Sequence, residues 1–202
     1  MKLKTSIAWK GMLKKILTDT YWKSLGTPKL YYIFIIYKIL LKSNYIIKNM
    51  KIAIVSGQDE GPTKLNAFDN ALTDAGIGDV NLIKVSSMLA KNTEINELPK
   101  LKAGAMVNCV LSEITSDNPG DEITAVIAVA IGEELGCVVE TTGINENPED
   151  LTNEARKMVE YMMEKRGVKT KDLIIEKSTA TVEEIASVVA SVVYLNDEII
   201  EG

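Results

Sequence analysis

The alternation of apolar and polar positions divides the chain from residue 50 onward into short mixed elements. Residues 52–56 read as a first strand, and 57–64 as a polar loop carrying Gly61-Pro62. Thr63 is placed to cap a helix over 65–74, with Leu65, Phe68 and Leu72 at i, i+3 and i+7 and Gly76 just past its end. The β-branched run 78–87 predicts a strand that delivers two adjacent serines, Ser86 and Ser87, at its end. Val80 and Leu82, with Lys84 in step, project to one face; Asn81, Ile83 and Val85 project to the other.

A polar loop to about Leu101 follows. Residues 105–114 and 122–131 then read as strands on either side of Asn118-Pro119-Gly120, which predicts an antiparallel pair. Residues 137–141 form another strand, broken by Gly143. Asn147 and Pro148 open the clearest helix, with Leu151, Ala155, Met158, Val159 and Met162 as its apolar stripe and Gly167 as its stop. Residues 173–179 read as a strand, and 185–195 as a helix or a buried strand, the β-branched content leaning to strand. This is a mixed α+β chain in which strands outnumber helices.

Composition narrows the chemistry. At 202 residues the chain can bury one sizeable core, so one domain is the default. It contains no histidine, which removes imidazole bases, Ser-His-Asp triads and histidine metal sites together. Cys109 and Cys137 lie far apart without Cys-x-x-Cys spacing, and read as buried free thiols in a reducing cytoplasm. Acid and base work therefore falls to Asp, Glu, Lys, Tyr or Cys unless a cofactor supplies it. Gly76-Ile77-Gly78 precedes a strand and not a helix, so a Rossmann-type nucleotide binder is not expected.

The chain changes character near Met50. Before it stand ten lysines, one acid (Asp19) and eight of the eleven aromatic residues; after it the net charge is −14. The apolar run 30–41 is twelve residues long and interrupted by Lys38, short of the ~20 that span a bilayer. No small-residue cleavage site follows it. Three readings of residues 1–50 stand: a start assigned too early, which is preferred because Met50 leads directly into the first strand; a basic, aromatic-rich membrane-surface segment; or an extra structural segment. Membrane association is not expected, since 31–41 is apolar nearly all round and lacks an amphipathic face. No nucleic-acid partner is expected.

A Ser-Ser pair at a strand end is ordinarily a polar entry to a loop. A serine held there against a distorted backbone has another option, to attack the preceding carbonyl and turn the amide into an ester. The neighbourhood favours that option. Residues 61–72 (Gly-Pro-Thr-Lys-Leu-Asn-Ala-Phe-Asp-Asn-Ala-Leu), 75–78 (Ala-Gly-Ile-Gly) and 81–87 (Asn-Leu-Ile-Lys-Val-Ser-Ser) resemble the archaeal-type pyruvoyl-dependent arginine decarboxylases. The resemblance continues through Leu98-Pro99-Lys100-Leu101, Gly104-Ala105, Ser116-Asp117, Pro119-Gly120 and residues 140–143, and so covers roughly 52–195.

The resemblance implies an αββα sandwich of mainly antiparallel sheets over residues 51–202, with 185–195 as a strand. It also implies a homotrimer with sites between neighbouring protomers. Ser87 would attack the Ser86 carbonyl, and elimination and hydrolysis would leave a pyruvoyl group at 87. A β chain ending at 86 and an α chain starting at 87 would result. The covalent pyruvoyl group would form a Schiff base with the substrate amine and accept electrons as carbon dioxide leaves, with no metal and no pyridoxal phosphate.

Glu140 would reprotonate the carbanion, and for this it must keep a proton near neutral pH through desolvation. Asn81 would orient the pyruvoyl oxygen or the cleavage-site carbonyl without titrating. Asp69 would receive the guanidinium of L-arginine in a two-pronged pair. Without the resemblance, Asp69 and Glu140 read as solvated carboxylates. Agmatine would be the product, polyamine synthesis the pathway and the cytoplasm the location.

The chain departs from the family at Asn108-Cys109-Val110-Leu111, where members tend to carry a Pro-Thr-Ala-Tyr-like stretch, and at 90–93, which lacks prolines. Both bear on pocket shape and fine preference. The rival functions are decarboxylation of another amino acid, and an uncleaved, non-catalytic binding or assembly subunit. Intact Asp69 speaks against the first, and intact Ser87, Asn81 and Glu140 against the second.

Overall fold

The computed structural model describes residues 49–201, and the three readings of the leading basic segment fall outside them. The described elements run β1 (Lys51–Glu60), α1 (Lys64–Asp74), β2 (Asn81–Lys84), β3 (Met88–Ala90), β4 (Glu94–Ile95), β5 (Met106–Ser116), β6 (Glu122–Gly132), β7 (Leu135–Ile144), α2 (Pro148–Lys165), β8 (Thr170–Thr181) and β9 (Ala186–Leu195). They form two sheets, β2-β5-β9-β1-β4 and β3-β7-β6-β8.

Strand alternation makes the layers. Along β1, Ile52 turns into the core between the sheets while Ala53 turns toward α1. Three apolar layers result. Ala53, Ala71, Leu72, Val189 and Val193 lie between α1 and the first sheet. Ile127, Val129, Val138, Val188 and Val192 lie between the sheets, and Val126, Ala128, Ala155 and Val159 lie between the second sheet and α2. The order is α, β, β, α. β6 is covered on both faces, which is why its sequence is apolar almost without interruption.

Both helix starts are as the sequence predicts. The Thr63 hydroxyl accepts from the Asn66 N–H at 3.2 Å, and the Asn147 side chain accepts from the Glu149 N–H at 2.8 Å with Pro148 in the first turn. The buried faces differ from the expected stripes. Leu65 is 73 % exposed, and α1 packs through Ala67, Ala71 and Leu72. The reason is close approach: a Cβ on Gly57 of β1 would stand 2.4 Å from the Ala71 carbonyl oxygen, so only small residues fit beneath the helix. On α2 the centre of the face steps through Leu151, Ala155, Val159 and Met163, leaving Met158 40 % exposed on the flank.

Residues 105–114 and 122–131 are strands, but they do not pair with each other. β5 pairs with β2 and β9 in the first sheet, and β6 with β7 and β8 in the second. The turn at Asn118-Pro119-Gly120 is thus a corner between layers. Asp121 fixes it, accepting from the Ser116 hydroxyl at 2.5 Å and the Asn145 amide at 2.9 Å. Apolar faces on both strands are better buried by stacking than by lying edge to edge with one face in water. β9 is a strand, paired with β1 on one side and β5 on the other. The loop before Leu101 contains the short strands β3 and β4.

Ile127 is fully buried in the central layer. Ile127→Ala is expected to lower stability by about 2–5 kcal/mol, read as a shifted urea midpoint at fixed protein concentration.

Candidate active site

β2 is an edge strand of the first sheet and β3 an edge strand of the second, and residues 85–87 carry the chain from one to the other. The serine pair therefore lies in a link between sheets, beyond the strand end that the sequence suggested. Upstream, the Val85 N–H donates to the Cys109 carbonyl at 3.0 Å, the last rung joining the β2 side to β5. Downstream, the Val138 N–H donates to the Ser87 carbonyl at 2.9 Å, and Met88 pairs with Cys137 of β7. The Ser86–Ser87 amide sits between these anchors, with Ser86 exposed and Ser87 half-buried.

The backbone turns sharply here. The Met88 N–H donates back to the Ser86 carbonyl at 3.0 Å, closing a three-residue turn centred on Ser87. The Tyr194 hydroxyl donates to the Met88 carbonyl at 3.2 Å.

Glu140 lies two residues beyond Val138 on β7 and so on the same face, toward the first sheet. β3 covers β7 only at 135–137, so the strand edge beside Glu140 is open on that side. Glu140 is solvent-accessible, yet the packing around its carboxyl raises its pKa; burial is the larger cause, and the positive charge of Lys84 opposes it. Lys84 reaches over from β2 and pairs with Glu113 of β5 at 3.0 Å. The same cation acts on Cys109, whose thiol is pushed up by burial and pulled back by Lys84. Both cysteines are free and buried.

Ser86, Ser87, Lys84 and Glu140 thus gather at one edge of the sandwich. Lys84 lay within the serine-bearing run, but its pairing with Glu113 had no local signal. Tyr194 was equally silent, because its partner is 106 residues away in sequence.

Within one chain, Asn81 and Asp69 stand on elements other than the Ser86–Ser87 link. Asn81 begins β2, its amide donating to the Gly104 carbonyl at 2.8 Å. Six residues of largely extended chain separate it from Ser87, about 20 Å at ~3.3 Å per residue. Asp69 is exposed on α1, which packs mainly against β1 and β9, with a lesser contact to β5. Among the described residues, no helix is long and apolar enough to cross a membrane.

The chain is thus a four-layer αββα sandwich with a serine pair pinned between its sheets, and comparison with known proteins shows its family. The family model described as pyruvoyl-dependent arginine decarboxylase matches residues 51–199. The pyruvoyl-dependent arginine decarboxylase of Methanothermobacter thermautotrophicus is 57 % identical over 147 residues, covering 73 % of this chain and 97 % of its own. That of Pyrococcus horikoshii is 41 % identical over 150 residues, covering 71 % and 93 %. A solved pyruvoyl-dependent histidine decarboxylase aligns at a TM-score of 0.42 and 15 % identity over 50 % of this chain and 55 % of its own, too remote to bear on the site. The chain belongs to the pyruvoyl-dependent arginine decarboxylase family.

The raised Glu140 pKa carries a stability sign. Between the ordinary carboxyl value of 4.5 and the raised one, the unfolded chain has released this proton while the folded chain keeps it, so stability falls as pH rises through that window. Glu140→Gln removes the penalty. The variant is expected to melt above the wild type near neutral pH, the gap closing as pH drops below 4.5; thermal midpoints across pH check this.

Proposed function

We propose that this chain decarboxylates L-arginine to agmatine and carbon dioxide, using a pyruvoyl group that it makes by cutting itself between Ser86 and Ser87. The observation that carries this is the serine pair held from both sides inside the stretch matched by the family model. In this reading the decarboxylase domain is 51–202, and the cut chain consists of a β part to 86 and an α part from 87.

Self-processing starts when the Ser87 Oγ adds to the Ser86 carbonyl carbon. The Ser86–Ser87 amide breaks, an ester forms, and the hydroxyl proton ends on the freed α-amine. Loss of the Ser87 α-proton and cleavage of the Cβ–O bond then release Ser86 as a carboxylate. The dehydroalanine left at 87 takes up water and loses ammonia. The residues present suit the group that results. After the cut, the Ser87 carbonyl stays on the Val138 N–H and Met88 stays in the β3–β7 ladder, so the new N-terminus keeps its place.

The pyruvoyl ketone, once formed, supplies the electrophile that takes up the substrate amine and the electron sink for decarboxylation. The remaining work falls to side chains. Glu140, with its raised pKa, holds a proton on its carboxyl and delivers it to the substrate α-carbon after carbon dioxide departs. Asp69 receives the guanidinium, and Asn81 orients a carbonyl oxygen by its amide. The span of β2 between Asn81 and Ser87 supports a homotrimer of cleaved protomers, in which a neighbouring copy completes the site. The product feeds polyamine synthesis, and the reducing cytoplasm suits two unpaired thiols.

Intact mass spectrometry under denaturing conditions is expected to show two polypeptides divided after Ser86, the larger lighter by one ammonia than a serine-started chain. Ser87→Ala is expected to stay whole. A wild-type chain that never cuts would move the assignment to a non-catalytic assembly subunit. In cleaved protein, Glu140→Gln is expected to lower kcat about 10²- to 10⁴-fold. Asp69→Ala is expected to lower kcat/KM for arginine roughly 10- to 100-fold, as loss of a charged hydrogen bond does; a better turnover of another amino acid by the wild type would reassign the substrate.

A further inference from the structure

Tyr194 takes no part in the chemistry above, yet it reaches the cleavage turn from the other sheet. It stands on β9 opposite Ile52 of β1, half-buried against the central apolar layer. Its hydroxyl crosses to the second sheet and donates to the Met88 carbonyl at 3.2 Å. Burial first, and the neighbouring Cys109 second, raise its pKa, so it remains a protonated donor through the neutral range.

The peptide plane between Ser87 and Met88 is held at both ends. Its oxygen accepts from the Val138 N–H at 2.9 Å, and its hydrogen faces the Ser86 carbonyl, with Met88 N and Ser86 O 3.0 Å apart. A bond at the oxygen alone leaves the plane able to rock about that contact. Fixing the next carbonyl along the chain, that of Met88, removes this freedom. The Cys137 thiol, 4.0 Å from the Met88 sulfur, adds only a weak contact.

We propose that Tyr194 is a positioning residue for self-cleavage. By holding the Met88 carbonyl it keeps the Met88 N–H aimed at the Ser86 carbonyl oxygen, where negative charge collects as the Ser87 Oγ adds. A preorganised donor aimed at developing charge lowers such a barrier. The step is the amide-to-ester shift already described: one C–O bond forms, one C–N bond breaks, the proton passes from oxygen to nitrogen, and no co-reactant is required. The inference rests on the self-cleaving reading and assigns within it the group that orients the turn. Tyr194 itself touches neither the scissile carbonyl nor the attacking oxygen, so its effect falls on the shift and not on later turnover.

The test is the rate of chain cutting in full-length protein, made by cell-free translation in the cold and followed by intact mass after warming. Tyr194→Phe is expected to slow the cut about tenfold, the size of one lost neutral hydrogen bond at its upper end. Its thermal midpoint should change little, and arginine turnover per cut chain should match the wild type. Hydroxylamine, which cuts an ester under conditions that spare an amide, is expected to leave the uncut variant whole. Para-aminophenylalanine at 194, which retains a donor, should restore the rate. Para-fluorophenylalanine, of similar length but without a donor, should reproduce the slowing even if the Phe variant folds poorly.

Cutting at the wild-type rate in both donor-free variants overturns the inference. So does a slowed chain that hydroxylamine opens, because the shift would then have run without the hydroxyl. A wild-type chain that stays whole removes the self-cleaving reading and this inference with it; a wild type that cuts beside unaffected variants removes the inference alone.

Discussion

The apolar layer between the two sheets is the contact on which the rest of the molecule depends. Ile127, Val129, Val138, Val188 and Val192 lock one sheet against the other, and in doing so hold apart the two strands that the Ser86–Ser87 link must join. β2 is bound to the first sheet and β3 to the second. With well-packed residues on both sides, the link cannot relax by sliding either strand. The short turn at Ser87 is the local result, and it faces the Ser86 carbonyl with a backbone donor in place.

Electrostatics at this edge follow from the absence of histidine. With no imidazole available, a carboxyl that is to keep its proton toward neutral pH must be displaced upward from its ordinary range. Glu140 is displaced upward by its surroundings, and Lys84 restrains the displacement. Lys84 also forms a 3.0 Å ion pair with Glu113, so the cation stands between two carboxylates. Both acids come from strands that meet only because the sheets stack.

The placement of Asn81 and Asp69 follows from the same architecture. α1 covers β1 and β9 because Gly57 and the alanines of α1 let helix and strand come close. Asp69 lies on the exposed face of that helix. β2 runs in parallel with β5 and carries Asn81 to its far end. Within one chain the proposed site residues thus stand on different elements, Asn81 on β2, Asp69 on α1 and Glu140 on β7.

Much of this was legible in the sequence by itself. Thr63 and Asn147 marked their helix starts because a cap is a local bond between near neighbours, and the mixed α+β class followed from periodicity. Ser86, Ser87, Asp69, Asn81 and Glu140 could be named as candidates, from the ordered resemblance of their flanking residues. The pairing of β5 and β6 with different strands could not, since a turn sequence fixes a reversal of direction and not the layer to which the chain returns. Nor could the exposure of Leu65, because helix periodicity cannot see the glycine beneath it. Lys84 with Glu113, and Tyr194 with Met88, are contacts between residues far apart in the chain; the first is decided by the pairing of β2 with β5 within one sheet, the second by the stacking of one sheet on the other.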